Sequence, residues 1–155
     1  MNELSMIISP ERVTADLACV GKKALFQQLA LFAARATGLD QKAILSALAE
    51  RERLGSTGFG GGIAIPHGKV EGLDGIVGYV VRLSAPIDFQ SVDGLPVDLV
   101  FMLLSPPDAG AEHLKALASV SRLLRDRQML AKLRGARTKD AIYALLAGVE
   151  ALDAA

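Results

Sequence analysis

Apolar residues recur at helical spacing near the start of the chain. In KKALFQQLALFAARATG, Leu25, Leu29 and Phe32 fall on one face of a helix, and the run ends at Gly38. This spacing predicts a first helix over about 22–37.

A second helical pattern follows at once. Asp40 stands where an N-cap is expected, before QKAILSALAERERL, in which Ile44 and Leu48 belong to one apolar stripe. We therefore expect a second helix that ends near Gly55.

The middle of the chain has the composition of β-strands. The segments GIAI, GIVGYVVRL and PVDLVFMLL are short, rich in β-branched residues and bounded by Gly, Pro or Asp, so they predict buried strands. The pair Asp93 and Gly94 indicates a turn between the last two. A further short strand is expected near Val13.

Helical spacing returns after Pro107. The predicted apolar stripe of the next helix consists of Leu114, Leu117, Val120 and Leu124. Two more helices are expected in RQMLAKLRG and TKDAIYALLAG. Helices thus precede and follow a block of strands without repeats or linkers, which predicts a single α/β domain over residues 1–155.

Composition and charge exclude several classes of function. The chain has 155 residues, of which 51% are hydrophobic, and 17 basic residues balance 17 acidic ones, so no basic surface for nucleic acid is expected. The single cysteine, Cys19, can form no disulfide within the chain. The N-terminus does not resemble a secretory signal, and apolar stretches such as LVFMLL are too short for membrane insertion. We expect a cytoplasmic protein.

The stretch GFGGGIAIPHGK holds His67, one of two histidines in the chain. Glycine lets backbone amides turn together toward an anion, and the glycines around His67 are therefore candidates for a phosphate cradle. They are Gly58, Gly60, Gly61, Gly62 and Gly68. The segment matches neither the Walker A loop nor the dinucleotide fingerprint. The histidine itself is then the candidate reactive group.

An imidazole can act as a nucleophile when one nitrogen is neutral and free. A ring nitrogen that donates to a backbone carbonyl fixes the tautomer and leaves the other available for attack, here as a phosphoryl acceptor. The added negative charge would need hydrogen-bond donors, for which Ser56 and Thr57 are candidates beside the glycine amides.

Helical spacing selects two further candidates. Arg51 lies three and seven residues after Leu48 and Ile44, on the inward side of the second helix, whereas Arg53 falls on a more exposed face. His113 lies at the edge of an apolar stripe and in the first turns of its helix, where the helix dipole favours an anion.

Simpler interpretations stay open from the residues alone. The glycines also suit a tight turn, His113 a packed histidine, and Arg51 a surface charge at a helix end. We expect no metal, because HExxH and close histidine pairs are absent, and no cofactor. A serine hydrolase is disfavoured because G-x-S-x-G is absent.

Three separated blocks carry a resemblance to a known family. They are RERLGSTGFGGGIAIPHGK, PIDFQSVDGLPVDLVFMLLSPP and EHLKALASVSRLL, in that order. The chain resembles the fructose/mannitol type of enzyme IIA in the bacterial phosphoenolpyruvate-dependent phosphotransferase system, and within it the stand-alone nitrogen-regulatory enzyme IIA.

The resemblance implies an α/β/α sandwich, in which a mixed sheet is flanked by helices on both faces. It also implies that His67 accepts a phosphoryl group on Nε2 from an HPr-like carrier, and that Arg51 and His113 match the family's supporting arginine and second histidine. One departure is Gly61, where the family commonly has Asn, so we expect a looser loop or a less well held phosphohistidine.

Three functions stay open, of which we favour the first. In the first, the protein is a regulatory phosphocarrier whose partners are proteins such as potassium transporters or sensor kinases. In the second, it is a sugar-transport IIA component that passes phosphate to a IIB domain. In the third, it is a binding module whose histidine is never modified.

Overall fold

The computed structural model describes residues 3–148 of the chain. The helices are α1 (Lys22–Thr37), α2 (Gln41–Arg53), α3 (Gly110–Leu124), α4 (Arg127–Gly135) and α5 (Lys139–Ala147). The strands are β1 (Val13–Leu17), β2 (Gly58–Gly60), β3 (Ile63–Ala64), β4 (His67–Lys69), β5 (Val77–Ile87) and β6 (Val97–Ser105). Two 3₁₀ helices, Glu3–Met6 and Pro10–Arg12, precede β1.

The strands form one mixed sheet in the order β1, β5, β6, β3, β2, with β4 also paired to β6. Strand β6 is antiparallel to β5 and parallel to both β3 and β4, which lie one after the other along the same side of it. In this register His67 pairs with Leu103 and Ile63 with Leu99. The long central strand therefore aligns the short segments on either side of Pro66.

Helices cover both faces of the sheet because its central strands are apolar on both sides. Along β6, Val100, Met102 and Leu104 pack with α1 and α2. The alternate residues Leu99, Phe101 and Leu103 pack with α3, α4 and α5. Side chains alternate between the faces of a strand, and a continuous apolar run is typical of a strand buried on both sides.

The helices begin and end where the sequence predicts. The Asp40 carboxylate accepts a hydrogen bond from the Ala43 amide at 3.1 Å, which caps α2. Gly38 ends α1 in the left-handed conformation, with φ of +77°. The mixed sheet flanked by helices, the β1 strand, the five helices and the turn at Asp93 and Gly94 are confirmed.

Three details of the prediction are wrong. Leu114 is 67% exposed, because the stripe of α3 that faces the sheet runs through His113, Leu117 and Val120 instead. The GIAI segment forms only a two-residue strand, and neither β2 nor β4 was predicted as a strand. His67 consequently begins a strand of its own and does not follow directly on the end of β3.

Within residues 3–148, every helix is too short or too polar to cross a membrane.

Candidate functional site

His67 is held by its own backbone at the first position of β4. Its Nδ1 lies 2.8 Å from the Ile65 carbonyl oxygen, two residues earlier. The flanking backbone is fixed in turn, because the Leu103 amide donates to the Pro66 carbonyl at 2.9 Å. A carbonyl can only accept, so Nδ1 carries the proton and Nε2 holds the free lone pair. The tautomer of the ring is therefore set by the Ile65 carbonyl, and its position by the pairing of β4 with β6.

Gly68 lets α2 approach the strand that carries His67. A Cβ at Gly68 would meet backbone and side-chain atoms of Ala47 at 3.2 Å, closer than ordinary van der Waals contact. Arg51 lies four residues after Ala47, one turn along the same helix face. The close packing at Gly68 therefore places Arg51 beside His67.

Arg51 contacts Nε2 of His67 directly. Its Nε lies 3.2 Å from Nε2 of His67, and its Nη1 donates to the Gly55 carbonyl at 2.9 Å. Arg53, in contrast, is on the exposed face of α2 and pairs with Glu50. A guanidinium held at both ends in this way is a preorganised donor for an anion bound to Nε2.

His113 comes to the same place from α3. The centroids of the His67 and His113 rings are 5.5 Å apart, and His113 is buried. Its Nδ1 lies 2.5 Å from Oγ of Ser105, the last residue of β6, which is fully buried. The two histidines of the chain thus lie side by side although they are far apart in sequence.

Burial keeps both imidazoles neutral. Desolvation lowers the pKa of His67 below its ordinary value, the bond to Ile65 opposes this, the Arg51 charge lowers it further, and the Glu52 charge raises it. The pKa of His113 is lowered by burial first, and then by the neighbouring His67 and Lys69. A lowered pKa favours the neutral form of His67 near neutral pH, in which the Nε2 lone pair is available.

Thr57 and Ser56 are already engaged by local hydrogen bonds. The buried Thr57 donates its amide and its hydroxyl to the Glu52 carboxylate, at 2.9 Å and 2.5 Å, and Lys22 pairs with the same carboxylate at 2.8 Å. Ser56 Oγ accepts from the Gly58 amide at 3.1 Å. These contacts hold the loop between α2 and β2, and they leave the Thr57 hydroxyl committed to Glu52.

The structure corrects the expectation that Gly60, Gly61 and Gly62 surround His67. All three have positive φ and form the turn between β2 and β3. The carbonyl of Gly62 accepts from Leu99, four residues before the partner of His67 on β6, which places the turn roughly 13 Å away along the strand. The glycine turn and the histidine are neighbours in sequence only.

The anion at this turn is a side chain of the protein. The Gly61 amide donates to the Asp93 carboxylate at 3.0 Å. Hydrogen bonds from the Leu95 amide first, and then from the Gly61 amide, lower the pKa of Asp93. Arg134 donates to the Gly61 carbonyl and pairs with Asp98. The predicted cradle is thus occupied by Asp93.

Gly58 and Gly68 have packing roles. A Cβ at Gly58 would meet Ser91 and Phe89 within 3 Å, and its amide is taken by Ser56. Of the five candidate glycines, Gly68 alone lies in the strand of His67, and it acts through the approach of α2.

Two exposed leucines lie near the site, whereas the apolar side chains close to His67 in sequence are turned inward. Ile65 is 5% exposed, and Phe59 packs against the core beneath α3 to α5. Leu54 and Leu114 are 78% and 67% exposed, and they lie beside the segments that carry Arg51 and His113.

Two residues of the site were not singled out from the sequence. The Glu52 carboxylate accepts hydrogen bonds from Thr57 and pairs with Lys22, and Ser105 is the hydrogen-bond partner of His113. A serine directly after an apolar strand, eight residues before a histidine on an amphipathic helix, was the available signal. In residues 3–148, no three His, Cys, Asp or Glu side chains gather closely enough to bind a metal ion.

Comparison with known proteins gives consistent matches. Residues 6–149 match the family model described as phosphoenolpyruvate-dependent sugar phosphotransferase system, EIIA 2. The chain is 50% identical over 141 residues to a nitrogen regulatory protein of Bradyrhizobium diazoefficiens, covering 91% of this chain and 92% of that protein.

Two solved structures have the same fold. Nitrogen regulatory protein IIA-Ntr from Neisseria meningitidis superposes with a TM-score of 0.88 at 32% identity, covering 94% of this chain and 99% of that one. Mannitol enzyme IIA from Escherichia coli, solved in complex with phosphorylated enzyme IIB, gives 0.76 at 20% identity, covering 92% and 99%. The second match bears on the fold alone.

Proposed function

This chain belongs to the EIIA 2 family of the phosphoenolpyruvate-dependent sugar phosphotransferase system, and we propose that it carries a phosphoryl group on Nε2 of His67. The observation that supports this most is the pairing at that nitrogen. Nδ1 is tied to the Ile65 carbonyl, and the Arg51 guanidinium lies 3.2 Å from Nε2.

The transfer step needs no additional acid or base, because one N–P bond replaces another and no proton moves. The Nε2 lone pair attacks the phosphorus of a phosphorylated donor histidine, the Nε2–P bond forms, and the donor's N–P bond breaks. The electron pair of that bond returns to the donor ring. The Nδ1 proton of His67 stays in its hydrogen bond to Ile65 throughout. The protein has to align the two rings and stabilise the phosphoryl charge.

Arg51 supplies that stabilisation. In the unmodified protein its Nε donates to the lone pair that must attack, so the incoming phosphoryl group takes the place of this bond. The guanidinium then donates to phosphoryl oxygens, which are stronger acceptors than a neutral ring nitrogen. His113 lies beside the space that the phosphoryl group would occupy, and its lowered pKa favours the neutral ring.

Members of this family exchange phosphate with a phosphocarrier and other components of the system, and for this chain we propose an HPr-like donor. The relatives named nitrogen regulatory protein support a regulatory role over sugar transport. In that role the phosphorylation state of His67 controls binding to targets such as potassium transporters or sensor kinases, in the cytoplasm.

The test is phosphorylation with purified components. The chain is incubated with phosphoenolpyruvate, enzyme I and an HPr-like carrier, and acid-labile phosphate is located by mass spectrometry. We expect label on His67 of the wild type and none on His67→Ala. Arg134→Ala, which removes the α4 side chain that contacts the glycine turn, should be labelled normally. Absence of label on the wild type would support the unmodified binding module. Onward transfer to a IIB domain would support sugar transport.

A further inference from the structure

The Ser105 hydroxyl is a polar group in the core of the site. Ser105 is 0% exposed, and its Oγ has one hydrogen-bond partner within the described residues, Nδ1 of His113 at 2.5 Å. Its backbone is fixed separately, because its carbonyl accepts from the Val70 amide. Buried hydroxyl groups satisfy both donor and acceptor needs where they can, since an unpaired one costs stability.

The direction of this hydrogen bond follows from the number of available acceptors. If Nδ1 of His113 carried the proton and donated it to Oγ, the Ser105 proton would have no acceptor among residues 3–148. If the hydroxyl donates to Nδ1, the Ser105 proton has its acceptor and Nδ1 has its donor. The second arrangement leaves the ring proton of His113 on Nε2.

We propose that Ser105 is a positioning residue: its hydroxyl holds His113 as the Nε2–H tautomer, which then donates a hydrogen bond to the phosphoryl group on His67. The inference rests on the proposed phosphocarrier function for its last step and on the buried Ser105–His113 contact for its first.

The site then contains two imidazoles in opposite tautomers. The Ile65 carbonyl keeps the proton of His67 on Nδ1 and exposes a nucleophilic Nε2, whereas the Ser105 hydroxyl keeps the proton of His113 on Nε2. One ring is made an acceptor for phosphorus and the other a donor to its oxygens. With ring centroids 5.5 Å apart, a phosphoryl group on His67 comes within reach of the second ring.

The chain is well suited to a direct test, because its only two histidines are the ones in question. Two-bond ¹⁵N–¹H spectra of the full, uniformly labelled protein distinguish a protonated from a bare ring nitrogen. We expect His67 protonated on Nδ1 and His113 on Nε2. A wild-type spectrum with His113 protonated on Nδ1 overturns the proposal.

Variants then show whether Ser105 is the cause. In Ser105→Ala, Nδ1 of His113 loses its donor, so we expect averaging between tautomers and a shifted Nδ1 resonance. Ser105→Thr keeps the hydroxyl and restores the wild-type pattern. Ser84→Ala, which removes an exposed hydroxyl on β5, leaves both histidines unchanged. An unaltered His113 spectrum in Ser105→Ala contradicts the proposal.

The phosphorylated state gives a second readout. When about half of His113 is in the wrong tautomer, the equilibrium constant for transfer from the carrier falls about twofold or more, in proportion to the competent fraction. His113→Ala removes the donor and lowers it about tenfold. Ser105→Thr stays at the wild-type value, and no loss in Ser105→Ala counts against the proposal.

The two hypotheses fail separately. A wild-type protein that takes no label overturns the phosphocarrier function, and spectra of the unmodified protein still decide the tautomer of His113. If the wild type is labelled but Ser105→Ala has the same equilibrium constant for transfer, the phosphocarrier function stands and the positioning role of Ser105 is rejected.

Discussion

The glycine turn between β2 and β3 and the cluster around His67 both present an arginine, but the two arginines have different partners. In the turn, the Gly61 amide and Arg134 lie beside the carboxylates of Asp93 and Asp98. Around His67, the hydrogen bonds of the Arg51 guanidinium within residues 3–148 go to two neutral acceptors, a ring nitrogen and a carbonyl, while the Glu52 carboxylate is paired with Lys22. An arginine without a carboxylate partner, next to the ring nitrogen proposed as nucleophile, is what distinguishes the proposed reactive region from the turn.

The two regions also differ in how far apart in the sequence their residues lie. The backbone of the turn is formed by consecutive residues, and its glycines have positive φ because a short hairpin requires it. The cluster draws one residue each from α2, β4 and α3, which only the packed sheet brings together. Glycine content next to a histidine therefore says little about whether the two act together.

The largest expected difference is between the two arginines. Arg51→Ala removes the donor to the transferring phosphoryl group, and we expect transfer from the carrier to slow about 100-fold. Arg134→Ala removes a partly exposed pair with Asp98 in the turn, so transfer stays at the wild-type rate and stability falls by less than about 1 kcal/mol. Rapid-mixing phosphotransfer assays and urea unfolding measure both.

If both arginine variants slowed transfer equally, the turn would belong to the reactive site. If Arg51→Ala transferred at the wild-type rate, another group would have to stabilise the phosphoryl charge.

The fold was predictable from the sequence where local pattern decides it. The helical stripes, the Asp40 cap and the β-branched strands fixed five helices and the longer strands, because each depends on residues close in the chain. Arg51 was predictable for the same reason, from its phase on α2. The resemblance to the family contributed the pairing of His67 with His113, which spacing alone left open.

Other features depended on tertiary contacts that no local pattern contains. The capture of Gly61 by Asp93 needs the loop between β5 and β6 to reach the turn. The contact of Ser105 with His113 needs α3 to pack over the end of β6. Leu114 is a further example. The helix α3 buries His113 and exposes Leu114, although the spacing of the leucines predicted that Leu114 would be buried.

A pair of glycines tests how the cluster is assembled. Gly68→Ala forces a Cβ against the backbone of Ala47, and overpacking of this kind costs about 1–3 kcal/mol of unfolding free energy. Because Arg51 is one turn further along α2, we also expect slower transfer. Gly75→Ala has no atom within 4 Å of its Cβ and serves as the control, with a change within about 0.5 kcal/mol. Equal stability of the two variants would contradict the close approach of α2.

The two histidines predict how stability and activity respond to acid. Their pKa values lie below the ordinary 6.5, so the unfolded chain binds protons at a pH where the folded protein does not. Unfolding free energy should therefore fall as pH drops below about 6.5, until the folded rings titrate. Phosphoryl acceptance should persist below that pH, because folded His67 remains neutral. The wild type and His67→Gln are compared by urea unfolding between pH 7 and pH 5.

The expected stability loss is smaller in His67→Gln, which lacks one of the two groups. A loss as large as that of the wild type would mean that His67 does not titrate with a lowered pKa.

The smallest expected effect is that of Gly61→Asn, which introduces the residue common in the family. Gly61 has φ of +68°, a conformation that Asn tolerates better than other side chains, and its Cβ would point into open space. The amide that binds Asp93 is retained, and the turn lies roughly 13 Å from His67 along β6. This geometry replaces the expectation from the sequence that Gly61 weakens the hold on the phosphohistidine. We therefore expect stability and the half-life of the phosphohistidine to stay near wild-type values. A half-life extended about fivefold, which corresponds to about 1 kcal/mol, would reveal a contact between the turn and the phosphate. That result would remove the distinction between the two regions, since an amide at position 61 would then act at His67.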